Sequence, residues 1–582
     1  MQAPRFEIPA CPAADVQRLV RDLRVSGALG QVLVRRGLSD PGRAQAFLAA
    51  SEEHSASAFD GIDEAVTLVL EHVRDAQRIT VHGDYDVDGV CSTAVLARAL
   101  RRLGGDVDTF IPDRAGDGYG LSEDTVRRLA ARGTRLLITV DCAITAVEAV
   151  DAATQLGMRI IVTDHHAPRD DGMLPRAPIV HPVLCGYPCA DLCATAVAYK
   201  LAQAVWHGVG RDARELSEDL DLVALATVAD AVPLVGENRS LVRRGLQALA
   251  ATRKPGLQAL MSVAGVSPSA IGERSLGFAL APRLNAAGRL HRADAALELI
   301  LTDSQARACE VAAELDRANC ERRQLERRIL FQAEAKLAEQ GERMAYVLAA
   351  EGWHAGVIGI VASRLSERHH RPVVLIALGE GGGKGSGRSI EGFDLLAGLS
   401  ACAEHLLRFG GHRAAAGIEI ERDRVEPFAA ALCAHAEHAL AAADMVAVER
   451  VDAVVGGDEL GMELAEELRS LAPFGRANPA VSLMVSEASF HDCRPMGEGK
   501  HARFSVHSRG SRTRAVAFGT GGRLPAHEGV PVQATFALEV NEWAGIAEPR
   551  LVLRHACPAP LEPAAIGVAA EQQDELVLFA LP

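Results

Sequence analysis

One histidine and three aspartates stand within seven residues of this chain, in His82-Gly-Asp84-Tyr-Asp86-Val-Asp88. Like charges this close repel unless a cation neutralises them. Carboxylate oxygens with an imidazole suit Mn²⁺ or Mg²⁺ better than a thiolate-seeking metal. Three further sites follow apolar, strand-like runs: Asp141 after Leu136-Leu-Ile-Thr-Val, Asp164-His165-His166 after Arg159-Ile-Ile-Val-Thr, and Asp230 after Asp221-Leu-Val-Ala-Leu-Ala-Thr-Val-Ala. Any one of them is ordinary as a helix cap; four in succession are hard to explain that way. Two divalent ions about 3.5–4 Å apart, acting on a phosphoryl centre, account for the whole set.

Such positions need a sheet to bring them together. Arg78–Val81, Asp106–Ile111, Leu136–Val140, Arg159–Thr163 and Pro178–Val180 read as strands, with helices such as Ser122–Arg132 and Thr145–Leu156 between them. The alternation predicts an α/β fold with a parallel sheet covered on both faces, and its carboxyl edge would collect the acids. Residues 1–55 read as a helical lead and 56–300 as the α/β domain. Residues 303–340 contain no proline or glycine and are dense in Ala, Leu, Glu and Arg. They predict one helix, about 57 Å long, within a connector spanning 301–340. A second α/β domain is expected over 341–447, with strands Met344–Ala349 and Pro372–Ala377 around a helix at Val357–Arg368. From 448 to 557, short strands at Phe504–Val506, Thr513–Phe518, Val532–Glu539 and Arg550–Arg554 predict a small β-barrel. Residues 558–582 are left as a tail.

The chain has 582 residues, 48% of them apolar and 24% charged, which is the composition of a soluble globular protein of several domains. The N-terminus shows no basic region followed by an apolar run, and no uncharged stretch is long enough to span a bilayer. Twelve cysteines without a compact framework fit a reducing cytoplasm. Cys185, Cys189 and Cys193 recur every four residues, but Gly186, Tyr187 and Pro188 argue against a regular helix there and no fourth zinc ligand is evident. The net charge of −15 counts against non-specific nucleic-acid binding by the whole surface. Locally the balance inverts: Phe490 to Arg523 holds seven Lys/Arg against two acids.

The spacing His-x3-Asp-x-Asp, then a lone Asp, then Asp-His-His, then Ala229-Asp-Ala-Val-Pro233, resembles the DHH phosphoesterase superfamily, and within it the bacterial exonucleases specific for single-stranded DNA. Ala281-Pro-Arg-Leu-Asn-Ala-Ala-Gly-Arg289, the Trp353–Arg364 and Phe409–Gly417 segments, Gly385-Ser-Gly-Arg-Ser389, Pro473-Phe-Gly and Asn541-Glu-Trp543 extend the likeness over nearly the full length. The resemblance implies a DHH catalytic domain, a long connecting helix, a DHH-associated substrate-binding domain and a C-terminal OB-fold. It further implies 5′→3′ hydrolysis of single-stranded DNA to 5′-mononucleotides in recombination and repair. By position it puts the ligands of two Mn²⁺ or Mg²⁺ ions at His82, Asp86, Asp88, Asp141, His165 and Asp230. Asp84 and Asp164 are expected to orient those ligands, and His166 to face the scissile phosphate and help the 3′ oxygen leave.

Ser386 and Arg388, in a flexible glycine-rich loop, are expected to hold a terminal 5′-phosphate together with Arg114. Gly411 and His412 are expected to line the cleft. Arg283, Asn285 and Arg289 either track the nucleic-acid backbone or pair with acids of the connector. Phe504, Phe518 and Trp543 read as barrel core more readily than as stacking platforms. Single-stranded DNA is the expected partner, with a repair helicase or single-strand-binding protein beside it, no membrane, and a monomeric chain.

Several glycines of that family pattern are alanine here: Ala143, Ala194, Ala196, Ala226 and Ala477. Where the backbone needs φ > 0, each methyl costs roughly 1 kcal/mol or more, so local geometry is in question while the ligand set is intact. Two other readings stand beside the exonuclease: a phosphodiesterase for short oligonucleotides or cyclic dinucleotides, and a catalytically inactive DNA-binding scaffold. The long helix and basic barrel favour a polymer over the first, and the complete set of Asp and His favours activity over the second.

Overall fold

The computed structural model describes residues 4–113, 120–290, 294–543 and 546–558, so Arg114 lies outside the described residues. They divide into two compact units. The first holds Asp40–Ala447 and Ser470–Ala480; the second holds residues 4–39, Val448–Arg469 and the described residues from Val481 onward.

A short strand, β1 (Arg5–Glu7), belongs to the second unit. The first sheet of the first unit holds β2 (Ile79–His82), β3 (Val107–Phe110), β4 (Leu136–Val140), β5 (Arg159–Thr163) and β6 (Ile179–Val180). They pair in parallel in the order β3-β2-β4-β5-β6. Strands β2 and β4 are buried along their whole length, as expected when helices cover both faces. Asp141 and Asp164 therefore follow directly on neighbouring strand ends, beside the loop that leaves His82.

The fourth acidic site arrives differently. Leu220–Ala229, read as a strand-like run, is a helix buried from Leu220 to Thr227, and Asp230 is its C-cap. An apolar run buried on all sides carries no periodicity to separate helix from strand, and here its alanines and its ten-residue length decide for the helix.

The connector forms one helix, Gln305–Gln340, of 36 residues and about 54 Å. It leads into a second sheet of β7 (Tyr346–Glu351), β8 (Val373–Gly379), β9 (Gly382–Arg388), β10 (Arg408–Gly411) and β11 (Ala415–Ile420), ordered β10-β11-β9-β8-β7. The segment expected as a flexible glycine-rich loop is thus the central strand, β9. Its alternation places Gly383, Gly385 and Gly387 on the core face. A Cβ there would come within 2.6 Å of Ile376, 2.5 Å of Ile418 and 2.8 Å of Leu395. Lys384, Ser386 and Arg388 take the other face.

In the second unit, β1 pairs in parallel with β12 (Val448–Arg450). The helix Gly27–Arg35 sits on β13 (Ala453–Val454), where Gln31 exchanges two 3.1 Å hydrogen bonds with the backbone of Val454. Then β14 (Leu483–Met496), β15 (His501–Ser508), β16 (Ser511–Ala517), β17 (Val532–Trp543) and β18 (Ile546–Pro558) follow in the order β14-β15-β16-β18-β17. Pairing of β17 back onto β14 closes five strands into a barrel. Phe490, Phe504 and Phe536 fill it, while Phe518 is half exposed against His501. The side chain of Trp543 lies outside the described residues.

Candidate active site

At the end of β2 the chain turns into the helix Val87–Arg102, with Asp86 as its N-cap. The Asp86 carboxylate accepts the amides of Asp88 and Gly89 at 2.9 and 3.0 Å. Gly89 lies so close to the preceding loop that a Cβ would come within 2.4 Å of the Asp84 backbone. That crossing folds Asp84, Asp86 and Asp88 over one strand end.

Asp88 is buried, and its charge is met by the N-terminus of the helix Ala194–Gly208. The amides of Ala194 and Thr195 donate to its carboxylate at 2.7 and 2.8 Å, and the Thr195 hydroxyl at 2.6 Å. Backbone N–H groups at a helix start are natural anion partners. Sequence reasoning flagged this run only for its alanines and missed Thr195.

Asp141 sits at φ 62 and Ala143 at φ 83, so two left-handed residues bracket Cys142 after β4. Non-glycine residues in that region store strain of the kind found at functional sites. Asp164, ending β5, accepts from the amides of Ile144 (2.9 Å), His165 (2.8 Å) and His166 (3.1 Å), and pairs with the His166 ring nitrogen Nδ1 at 2.7 Å. His181, a second residue the sequence reading missed, is buried just beyond β6 and donates from Nε2 to the His166 carbonyl at 2.9 Å, fixing that backbone.

Among the described residues, three groups of potential metal ligands have donor atoms within 4.8 Å of one another: Asp84, Asp86 and Asp141; Asp88, His165 and Asp230; and Asp141, His165 and His166. His82 is in none of the three. Its ring packs on Phe110 at 5.4 Å, and Nδ1 is 3.6 Å from the Cys142 sulfur. The buried Nε2 of His165 has no hydrogen-bond partner among the described residues. It faces carboxylate oxygens of Asp141 at 3.3 Å and of Asp88 and Asp230 at 3.8 Å. A ring nitrogen and three carboxylates converging without a hydrogen bond are a donor set that fits a hard divalent cation.

The electrostatics agree. Burial first, then the neighbouring aspartates, push the carboxyls of Asp86, Asp141 and Asp230 up. Burial pushes His165 down, favouring the neutral, metal-binding ring. For His166 burial acts the same way, but the hydrogen bond and charge of Asp164 outweigh it and hold the imidazole up at about 9.

The site adjoins a cavity of about 180 Å³ lined by Val228, Ala229, Asn285, Arg289, Arg322 and Ile360, among others. Asn285 accepts the Val87 amide at 3.1 Å, and Arg289 donates to the Gly356 carbonyl at 2.9 Å. Arg283, by contrast, is tied into the scaffold: it donates to Asp316 at 2.9 Å and to the Ala279 carbonyl at 2.6 Å. Arg322, missed in the sequence reading, reaches the cavity from the long helix while pairing with Glu326 at 2.9 Å.

Arg388 donates to the Ser386 hydroxyl at 3.0 Å and the Gly387 carbonyl at 2.7 Å. Burial alone pushes its pKa down, and no carboxylate offsets that among the described residues. The start of the helix Ala355–His369 closes on both side chains: a Cβ at Gly359 would be 2.9 Å from the Ser386 hydroxyl and 3.1 Å from the Arg388 guanidinium. Gly411 and His412 form an exposed turn from β10 to β11, where φ 142 at Gly411 and the Ala415 carbonyl 2.5 Å from a Cβ there require glycine.

Residues 78–227 match the DHH family, N-terminal domain, residues 341–438 the DHHA1 domain and residues 451–555 the RecJ OB domain. The chain is 36% identical over 564 residues to the single-stranded-DNA-specific exonuclease RecJ of Bacillus subtilis (strain 168), covering 95% of this chain and 70% of that protein. It is 36% identical over 530 residues to RecJ of Escherichia coli (strain K12), covering 86% of this chain and 90% of the other. The crystal structure of RecJ in complex with Mn²⁺ from Thermus thermophilus superposes with a TM-score of 0.83 and 31% identity, over 96% of this chain and 80% of that one. The domain matches, the full-length relatives and the shared architecture place this chain in the RecJ family of single-stranded-DNA-specific exonucleases.

Proposed function

We propose that this protein is a metal-dependent exonuclease that degrades single-stranded DNA from the 5′ end to 5′-mononucleotides, in recombination and repair. The observation that carries the reading is the set of carboxylates, Asp88 and Asp141 buried and Asp230 part-exposed, converging on the unbonded His165 Nε2. Six residues would hold two Mn²⁺ or Mg²⁺ ions: His82, Asp86, Asp88, Asp141, His165 and Asp230, with Asp84 close enough to Asp86 and Asp141 to share the load. Bound ions would polarise the phosphoryl group and lower the pKa of the attacking water.

The chain's own groups do the rest. Asp164 keeps the His166 ring charged at neutral pH and fixes its orientation. The partly exposed imidazolium can then stabilise charge on the scissile phosphate and protonate the leaving 3′ oxygen. Arg388 and Ser386 hold the terminal 5′-phosphate, whose charge replaces the missing carboxylate. Asn285 and Arg289 brace the joint between the metal-site helix and the helix that packs on Arg388, which fixes the distance between terminal and scissile phosphates. The basic barrel segment adds grip on the distal strand. A repair helicase or single-strand-binding protein as delivery partner, a monomeric state and a cytoplasmic setting belong to the same proposal. Among the described residues no helix is long and apolar enough to cross a membrane.

The test uses purified protein with Mn²⁺, a 5′-phosphorylated single strand labelled separately at each end, and the matching duplex. Early release of mononucleotide from the 5′ end, a spared duplex and an inactive Asp86→Ala variant are expected. Cleavage confined to two- to five-nucleotide oligomers, or binding without cleavage, would replace the reading.

A further inference from the structure

The segment Ser470–Ala480 belongs to the first unit. Its backbone is fixed at several points. Leu234 donates its amide to the Arg476 carbonyl at 2.8 Å. Gly475 and Asn478 exchange backbone hydrogen bonds at 2.8 and 3.1 Å. The buried Asn478 amide donates to the carbonyls of Leu471 and Pro473 at 2.9 and 2.8 Å. The buried Arg239 guanidinium donates to those of Ser470 and Leu471 at 2.9 and 2.7 Å. A Cβ at Gly475 would lie 2.7 Å from Leu234, and Ala477 stands at φ 59. The backbone of the turn is thus held by hydrogen bonds on both sides of Arg476.

Arg476 is on its crest. The side chain is exposed and makes no ion pair or side-chain hydrogen bond among the described residues. Leu234, which holds its backbone, is four residues past Asp230, and the chain turns between them through Ala231 at φ 54. Asp230 in turn follows Val228 and Ala229 of the cleft wall.

We propose that Arg476 is a substrate-binding residue that takes a backbone phosphodiester of the strand at the Asp230 side of the site. The proposal rests on the nuclease reading and adds a contact to it. A planar, permanently charged fork suits a phosphodiester, and because the backbone of the turn is already fixed, only the side chain remains to be ordered on binding.

The full chain with saturating Mn²⁺ and 5′-phosphorylated (dT)20 tests it, as kcat and KM against NaCl concentration for wild type, Arg476→Ala and Arg476→Lys. Arg476→Ala should lower kcat/KM about 10- to 100-fold, mainly through KM, and flatten the salt slope by about 0.7. Arg476→Lys should restore most of the slope. Thermal midpoint and Mn²⁺ half-saturation should stay put. An active wild type with unchanged KM and slope in Arg476→Ala overturns the proposal. So does a lower Mn²⁺ half-saturation with DNA parameters unchanged, because Arg476 then only balances Asp230. If wild type leaves the strand intact, the nuclease reading fails instead. Binding of (dT)20 followed by anisotropy in Ca²⁺ then still reports the contact, supporting it if Arg476→Ala weakens binding and overturning it if not.

Discussion

Restoring glycine at the five alanines that depart from the family pattern should split them by backbone angle. Ala477 stands at φ 59 with its methyl exposed, and Ala143 at φ 83 with its methyl buried. Ala194, Ala196 and Ala226 lie inside helices and are fully buried. At Ala477, glycine relieves roughly 1 kcal/mol of left-handed strain and loses about 0.4–1 kcal/mol to the freer unfolded chain, for a net change between about zero and a gain of 0.6 kcal/mol. At Ala143 the same terms apply, less about 0.8 kcal/mol for the lost buried methyl, leaving a small net loss. At Ala196 and Ala226 there is no strain to relieve: glycine forfeits about 1 kcal/mol of helix propensity and about 0.8 kcal/mol of burial, close to 2 kcal/mol in all. Ala194, at the first helical position, should fall between. Urea midpoints measured at one Mn²⁺ concentration should therefore rank Ala477→Gly highest, Ala143→Gly next, and the two helix-interior variants clearly below wild type. If Ala477→Gly lost as much as Ala196→Gly, the φ-based account would be refuted.

Arg388→Ala should reduce the preference for 5′-phosphorylated over 5′-hydroxyl strands about 10- to 100-fold, read as the ratio of kcat/KM for the two substrates; an unchanged ratio would remove Arg388 from the terminal-phosphate site. Lys200 and Glu237 form a buried 2.6 Å pair, with the Tyr187 hydroxyl also donating to Glu237 at 2.9 Å. Lys200→Met should cost about 3–5 kcal/mol by stranding the carboxylate, and adding Glu237→Leu should recover most of it, as a double-mutant cycle in urea will show. Mn²⁺ at a hundred times its dissociation constant should stabilise the chelated protein by about 2.7 kcal/mol, and Asp141→Ala should abolish that rise in thermal midpoint. A rise of equal size in the variant would place the ion elsewhere.

The limits of the sequence follow from which signals are local. Asp141 and Asp164 were legible as strand-end acids because their strands are apolar, short and bounded by turns, and those properties belong to the segment itself. Asp230 was legible as an acid but not as the C-cap of a preceding helix, since burial of Leu220 to Thr227 on all sides erased the period that distinguishes a helix. The strand β9 was misread for the opposite reason. Its glycines look like a loop until Ile376, Ile418 and Leu395 are in place to forbid side chains there. Strand β14 was missed because its second half is exposed and polar, and only pairing with β15 and β17 makes it a strand. The supports of the site were least visible. Thr195 meets Asp88 from 107 residues away, and His181 meets His166 from 15 residues away across the sheet edge. Neither residue type announces that role at its own position. The same holds for the five alanines: the family pattern marked all of them, but only φ separates the two that carry strain from the three that fill a helix. A motif can therefore nominate the groups that touch substrate, whereas the groups that aim them are defined by contacts no local spacing encodes.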